Sequence, residues 1–453
     1  MERGSNPASA LAERRPRTAA ADPARRAAYD LLRAVREQGA YANLALPAIL
    51  TDAGLSGRDA ALATELGYGT VRAAGALDEI VDASVDRPDV DPAVRDLLRL
   101  GAYQVLRTRI PVHAAVATTV DLARATGNGR ASGFVNAVLR RVTARTWDGW
   151  VDALTADAPP LRRLALRTAH PEWIAQAFAQ SLGDDLAETE RALRADDERP
   201  QTHLVAWPGR AERGELLAAV DGEAGPYSPY AVRTSGGDPA SLAAVRERRA
   251  GVQDEGSQLC ALALVAAPVD GRDERWLDLC AGPGGKAALL AALAAQRGAQ
   301  LTANELRPHR AELVRKVTAH WGTDVIESDA RSLPEIEGGY DRILLDAPCS
   351  GLGALRRRPE SRWRRDPSDV VALAELQRDL LAAALRLARP GGVVAYVTCS
   401  PHLSETRDIV AGHSLIDARE AFAGVDALGE GPTVQLWPHR HGTDAMFCAL
   451  IRR

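Results

Sequence analysis

Between Pro23 and Thr146 the apolar residues recur at helical spacing. Arg26–Val35 places Ala28, Leu31, Leu32 and Val35 on one face. Similar stripes run through Ala60–Val71, Val94–Leu106 and Ala114–Ala125, separated by Gly, Asp and Pro breaks. No strand-like alternation persists, so the pattern predicts an all-helical domain over residues 23–146. Residues 147–250 are mixed. Asp157-Ala158-Pro159-Pro160 and His170-Pro171 punctuate helices, residues 202–206 predict a strand, and Arg213–Val220 a helix after it. Gly222–Pro229 and Gly236–Pro239 are expected to be loops, which makes this stretch a small α/β connecting module. From Gly251 strands alternate with helices. Strands are predicted at Arg275–Cys280, Leu301–Asn304, Asp324–Ile326, Arg342–Leu345 and Val393–Thr398, with a helix over Lys286–Ala295. Such alternation predicts a parallel, doubly wound α/β sheet over residues 251–453, with its ligands at the carboxyl ends of the strands.

Composition changes this picture little. The 453 residues exceed one ordinary domain. A hydrophobic content of 46% is ample for cores, but aromatics are only 4%, so Ala, Leu and Val must fill them. The net charge of −4 argues against wholesale coating of nucleic acid and leaves room for a local basic groove. Five cysteines without a CxxC pair give neither a zinc site nor a disulfide framework, so no metal is expected. An odd number of free thiols suits a reducing cytoplasm. No apolar run approaches the ~18 residues of a membrane span. Residues 1–22, rich in Ala and Arg, predict a disordered, mildly basic tail. Arginine replaces lysine almost everywhere, so the retention of Lys286 is informative.

The segment Cys280-Ala281-Gly282-Pro283-Gly284-Gly285-Lys286 follows a predicted strand and opens a predicted helix. Glycines there let backbone approach a ligand without an intervening side chain. A phosphate-binding P-loop needs a further Gly, separated by four residues from its Gly-Lys pair, and Ser or Thr after the Lys. Cys280 and Ala287 occupy those places, and the dinucleotide spacing is also absent. Glu305, twenty residues beyond Gly285 and just past the second strand, suits the hydroxyls of an adenosine ribose. Asp329, after the third strand, suits the adenine. A single such acid is ordinarily a solvated loop carboxylate; matching strand ends reverse those odds. The pattern fits adenosine without a pyrophosphate, as in S-adenosyl-L-methionine.

Free cysteines usually behave as small buried hydrophobes, and Cys260 and Cys448, each within an apolar run, take that reading. Cys280 at the head of the loop is expected to be structural as well. Cys349, in Asp346-Ala347-Pro348-Cys349-Ser350-Gly351, and Cys399, in Thr398-Cys399-Ser400-Pro401, differ because each follows a strand and sits in a polar turn. Carbon 5 of cytosine is too poor a nucleophile to take a sulfonium methyl. A thiolate added to carbon 6 makes an enamine whose carbon 5 can attack. A base must then remove the carbon-5 hydrogen, and charge at N3 must be relieved. A free thiol titrates near ~8.5, so the nucleophile needs a neighbouring cation, for which Lys286 is the candidate.

The Gly-Pro-Gly-Gly-Lys loop, the Asp-Ala-Pro-Cys-Ser-Gly motif and Thr-Cys-Ser together resemble the RNA 5-methylcytosine methyltransferases, in particular the Sun/RsmB group. The resemblance implies a Rossmann-like methyltransferase domain with Cys399 as nucleophile, Cys349 aiding elimination, Asp346 at the cytosine edge and Lys286 lining the pocket. Val252–Leu259 looks like that family's entry into its catalytic domain. Four positions depart from its pattern: Gly282 stands for alanine, Ala287 and Leu352 for threonine, and Glu305 for aspartate. Leu66–Arg72, Leu100–Leu106 and Gly133–Arg141 resemble a NusB-type RNA-binding fold, as in the ribosomal RNA members. The likeness is weakest over 147–250, where Val205-Ala206 lacks the usual Arg-Val-Asn.

Arg356, Arg357, Arg358, Arg362, Arg364 and Arg365 crowd together around Trp363. A charge run is usually a solvated face, but this one lies close behind Cys349, so RNA contact is expected of Arg356, Arg357, Arg358, Arg362 and Trp363. The expected activity is methylation of small-subunit ribosomal RNA by a monomer that binds no membrane. Transfer RNA as substrate, and a non-catalytic RNA-binding assembly factor, are the alternatives.

Overall fold

The computed structural model describes residues 21–453 apart from 88 and 337. Nearly all of the expected disordered tail lies outside the described residues. Two compact units are present, and the chain passes from one to the other between Leu154 and Thr155. No helix among the described residues is long and apolar enough to cross a membrane.

Among its described residues, the regular elements of the first unit are all helical. The four predicted stripes form the helices Pro23–Gln38, Gly57–Arg72, Pro92–Arg107 and Val112–Ala125. Their starts follow from local chemistry. Asp22 and Asp91 accept hydrogen bonds from the free N–H groups of the first turn, and a proline follows each of them. The pattern missed Ala42–Asp52, Ala74–Asp82 and Ser132–Val142. The first carries Pro47 within it and exposes much of its length, so its stripe is weak.

The second unit opens with helices Pro160–Arg167, Glu172–Ser181 and Leu186–Ala195, followed by a small antiparallel sheet. Its strands are β1 (Thr202–Ala206), β2 (Gly222–Ala224), β3 (Ala231–Thr234) and β4 (Ala250–Val252), in the order β2-β3-β1-β4. β1 and the helix after it, Arg213–Ala219, match expectation. Gly222–Ala224, expected to be loop, is a strand held by backbone pairing to β3.

The large sheet contains β5 (Arg275–Asp278), β6 (Gln300–Asn304), β7 (Asp324–Ile326), β8 (Tyr340–Asp346) and β9 (Ala388–Thr398), all parallel. Beyond them come β10 (Leu415–Ile416), β11 (Val434–Gln435) and β12 (Phe447–Arg452). The order is β10-β12-β9-β8-β5-β6-β7, with β11 also paired to β12. The purely parallel sheet expected is therefore corrected to a mixed one, because β12 runs antiparallel along β9 from Val393 to Thr398. Helices Glu255–Ala266 and Gly285–Gln296 cover one face; Pro367–Leu387 covers the other.

The chain leaves β5 toward β6 on one side and returns to β8 on the other, so a crevice opens beyond the carboxyl ends of β5 and β8. At the opposite end of the sheet, buried Asp341 at the start of β8 accepts hydrogen bonds from the Glu274 and Arg275 backbone and pairs with Arg272 and Arg389. Arg342 beside it pairs with Asp273 and donates to the carbonyl of Ala267.

Candidate active site

The acidic candidates and Cys399 stand where parallel strands end, and Lys286 lies in the first turn of the helix after the glycine loop. Asp278 closes β5, Glu305 follows β6, Asp329 lies three residues past β7, Asp346 closes β8 and Cys399 follows β9. The loop after β5 turns into helix Gly285–Gln296 at Gly284, whose φ of +115° favours glycine and where a side chain would run into Val317. Gly282 donates its N–H to Glu305 Oε2 at 3.0 Å, and the other Glu305 oxygen accepts from Arg307 N at 2.9 Å. The approach is so close that a methyl group on Gly282 would overlap the Glu305 carboxylate. Asp329 is engaged by Arg331 at 2.7 Å and caps the turn that follows.

Asp278 was not singled out in the sequence, although a carboxyl inside Trp276-Leu277-Asp278-Leu279 was a visible signal. It is fully buried, and neither of its oxygens has a hydrogen-bond partner within ordinary distance. Burial, with the charge of Asp346 added, pushes its pKa up to about 8.

The two thiols meet. Cys349 Sγ and Cys399 Sγ are 3.4 Å apart, both half-buried. Adjacent parallel strands bring them together: Ala347 N donates to Val397 O at 2.8 Å, and Gly353 N to Cys399 O at 2.9 Å. A hydrogen bond from Cys349, helped by the charges of Lys286 and Arg358, outweighs burial and holds the Cys399 thiol below its ordinary value. The same contact, together with burial, raises Cys349 well above it. One thiol is thus the readier thiolate and the other keeps its proton. Lys286 Nζ donates to Asp346 Oδ2 at 2.8 Å. Burial works against its ammonium charge, but the Asp346 carboxylate more than offsets this and holds the Lys286 pKa above the ordinary range. Cys280 lies in the loop with its thiol raised by burial, and Cys260 and Cys448 are buried in the core.

Three of the arginines expected to touch RNA are turned inward, which corrects that reading. Arg356 and Arg357 both pair with Asp254 and Asp444, at 2.8 to 3.1 Å, and Arg356 is only 7% exposed. Arg362 is fully buried and pairs with Asp197 at 2.8 Å while donating to the Asp196 carbonyl. These side chains hold the segment after Cys349 against the small sheet and the helices before it. Arg358 is exposed and Trp363 partly so. The polar residues around the thiols, Gln377, Tyr396 and Glu405, carried no sequence signal.

Four carboxyls at neighbouring strand ends, one of them an unpartnered buried acid, suit a cationic, hydroxyl-bearing ligand and would repel a pyrophosphate. With the glycine loop and the switch in strand order, the unit defines a methyltransferase of the S-adenosylmethionine-dependent class. Comparison with known proteins agrees. The family model described as 16S rRNA methyltransferase RsmB/F matches residues 263–452, and that of the NusB family residues 22–144. The chain is 34% identical to ribosomal RNA small subunit methyltransferase B of Klebsiella pneumoniae over 416 residues, 88% of this chain and 91% of that one. A Mycobacterium tuberculosis protein, named no more specifically than as a methyltransferase, is 56% identical over 452 residues, 97% of this chain and 98% of that one. The solved structure of PH0851 superposes with a TM-score of 0.78 at 22% identity, over 95% of this chain and 99% of that one, and shares the fold. The protein belongs to the RsmB/F family of 16S rRNA methyltransferases, with a NusB-family segment ahead of its catalytic unit. Its cofactor is S-adenosylmethionine.

Proposed function

We propose that this protein methylates carbon 5 of a cytosine in small-subunit ribosomal RNA through a covalent bond from Cys399 to carbon 6. The observation that carries the reading is the 3.4 Å contact between two strand-end thiols with opposed titration, beside the Lys286–Asp346 pair. Glu305 and Asp329 would take the ribose hydroxyls and the adenine, the backbone of Cys280–Gly285 would lie against the cofactor, and Asp278 would face its positive charge. Bound S-adenosylmethionine supplies the electrophilic methyl group.

Lys286 and Arg358 stabilise the Cys399 thiolate, which adds to carbon 6 while the Asp346 carboxyl group hydrogen-bonds the Watson–Crick edge of the base. Once the Cys399 sulfur is bonded to carbon 6, its contact no longer holds the proton on Cys349, which gives that proton to solvent as the one proton the overall transfer releases. After carbon 5 carries the methyl group, the Cys349 thiolate takes the carbon-5 proton. The electrons of that C–H bond restore the ring double bond and expel Cys399 as thiolate. The two sulfurs then share one proton again. The target base must be unstacked to reach the thiols, which favours single-stranded or loop RNA. Arg358 and Trp363 remain the candidates for RNA contact on this side of the crevice, and the NusB-family segment for selection of the RNA.

Bisulfite sequencing of total RNA from cells with and without the gene tests the proposal. Loss of one protected cytosine in small-subunit ribosomal RNA is expected. Loss in transfer RNA would keep the chemistry and change the substrate. No change anywhere would overturn the reading in favour of a binding factor.

A further inference from the structure

Glu405 is completely buried, on the short turn Leu403–Glu405 that follows the Cys399 motif. A carboxylate can accept about four hydrogen bonds, and this one takes three from the turns that carry the thiols and the fourth from Gln377 on the helix Pro367–Leu387. Oε1 accepts from Ser350 N at 2.7 Å and from Gln377 Nε2 at 3.2 Å. Oε2 accepts from Ser400 Oγ at 2.6 Å and from Ser350 Oγ. Ser350 follows Cys349 and Ser400 follows Cys399, and their hydroxyls are 3.2 Å apart. Gln377 also donates to the carbonyl of Pro348, the residue before Cys349, at 2.9 Å. The Glu405 carbonyl is itself fixed by Tyr396 OH at 2.8 Å, from within β9.

A buried carboxylate serving only stability has no reason to choose the one residue beside each reactive sulfur. Taking charge out of water is costly unless hydrogen bonds compensate it. Here the three serine-derived bonds tie together two loops from two strands, and Gln377 braces the same carboxylate and the Pro348 carbonyl from the helix beside them. The carboxylate charge is also felt at Cys349, where it adds to the Cys399 contact and to burial in keeping the proton on that sulfur.

We propose that Glu405 is a positioning residue that clamps Cys349 and Cys399 in contact and assigns the shared proton to Cys349. The proposal rests on the two-thiol reading above, but its consequences are visible in the thiols alone. In Glu405→Gln the amide keeps the volume, loses the charge and replaces two acceptor sites by donors. A misplacement of about 1 Å costs on the order of 100-fold in rate, so kcat is expected to fall roughly 10- to 100-fold. The KM for RNA and the Kd for S-adenosylmethionine should stay unchanged, because Glu405 touches neither the loop 280–286 nor Glu305.

The decisive measurement is the pH profile of iodoacetamide alkylation of Cys349, followed by mass spectrometry in a Cys399→Ala background with and without Glu405→Gln. A lower midpoint on removal of the charge is expected. A faster rate at every pH with an unmoved midpoint would mean mere loosening and would overturn the proposal. Should Glu405→Gln not fold, Ser350→Ala with Ser400→Ala removes two donors and leaves the charge. That variant should lose kcat and keep its cofactor affinity, and wild-type kcat in it would equally overturn the clamp. Failure of the cytosine reading would show separately, as a Cys349→Ala protein that forms no adduct with RNA while the alkylation profiles still differ.

Discussion

Gly282 and Glu305 are the two departures from the family pattern that touch one another, and together they make a quantitative test of the cofactor site. Glycine lacks the methyl group that alanine would bring, and glutamate is one carbon longer than aspartate. The missing methyl leaves the space that the longer acid fills. Alanine at 282 would collide with Glu305 Oε2 and stand 2.8 Å from Arg310 Nε. Both are ends of side chains, so the fold will accommodate Gly282→Ala, but the carboxylate must leave its 3.0 Å bond to the Gly282 N–H. A hydrogen bond to a charged group is worth about 1.5–3 kcal/mol, and ~1.4 kcal/mol is tenfold in affinity. Titration calorimetry of Gly282→Ala with S-adenosylmethionine should therefore show Kd weakened roughly 10- to 150-fold, with unchanged circular dichroism. Adding Glu305→Asp should restore most of that loss, since the shorter acid clears the methyl. A single variant that binds like wild type, or a double variant no better than the single, would refute the compensation.

Three further outcomes follow from the same geometry. Cys349→Ala should accumulate a protein–RNA adduct that survives denaturing electrophoresis, and Cys349→Ala with Cys399→Ala should not; an adduct in the double variant would remove Cys399 as nucleophile. Asp278, raised to about 8 from an ordinary 3.8, holds a proton at neutral pH that the unfolded chain has lost. Its contribution to stability is thus full below the ordinary carboxylate range and is lost as pH rises toward 8. A cationic cofactor nearby reverses the preference, so binding at pH 7 should release a proton, seen by calorimetry in buffers of different ionisation enthalpy and absent in Asp278→Asn. Removing one partner of a buried ion pair costs about 3–5 kcal/mol, so Arg362→Met should lose about that much in urea unfolding. Its RNA affinity under native conditions should stay unchanged; a large loss there would return Arg362 to the RNA surface.

The legible parts of this protein were those whose meaning lies within a few residues. The glycine loop, Asp346-Ala347-Pro348-Cys349 and Thr398-Cys399 each read as strand end plus turn, and the five parallel strands stood out as apolar runs. Strands β2, β3 and β4 have three or four residues each, too few for any period to register. The arginines misled because a basic run looks the same whether it faces water or acids. Arg356 and Arg357 find Asp254 and Asp444 about a hundred residues away on either side, and nothing local marks the pairing. Glu405 was hidden for the same reason: Ser350 lies 55 residues before it, brought near only by the β8–β9 register.

The strand β8 joins two ends with different occupations. Near its start stand Asp341 and Arg342, tied down by the three charged neighbours Arg272, Arg389 and Asp273, and it ends in Asp346 at the crevice. Five residues of extended chain separate Asp341 from Asp346, about 16 Å at ~3.3 Å per residue. Free-energy changes at sites more than about 7–10 Å apart usually add. A breeder of heat-tolerant variants can therefore rework the ionic end of this sheet without retuning the thiols. Evolution has had the same freedom: a lineage can drift in thermostability at one end of a strand while the chemistry at the other stays still.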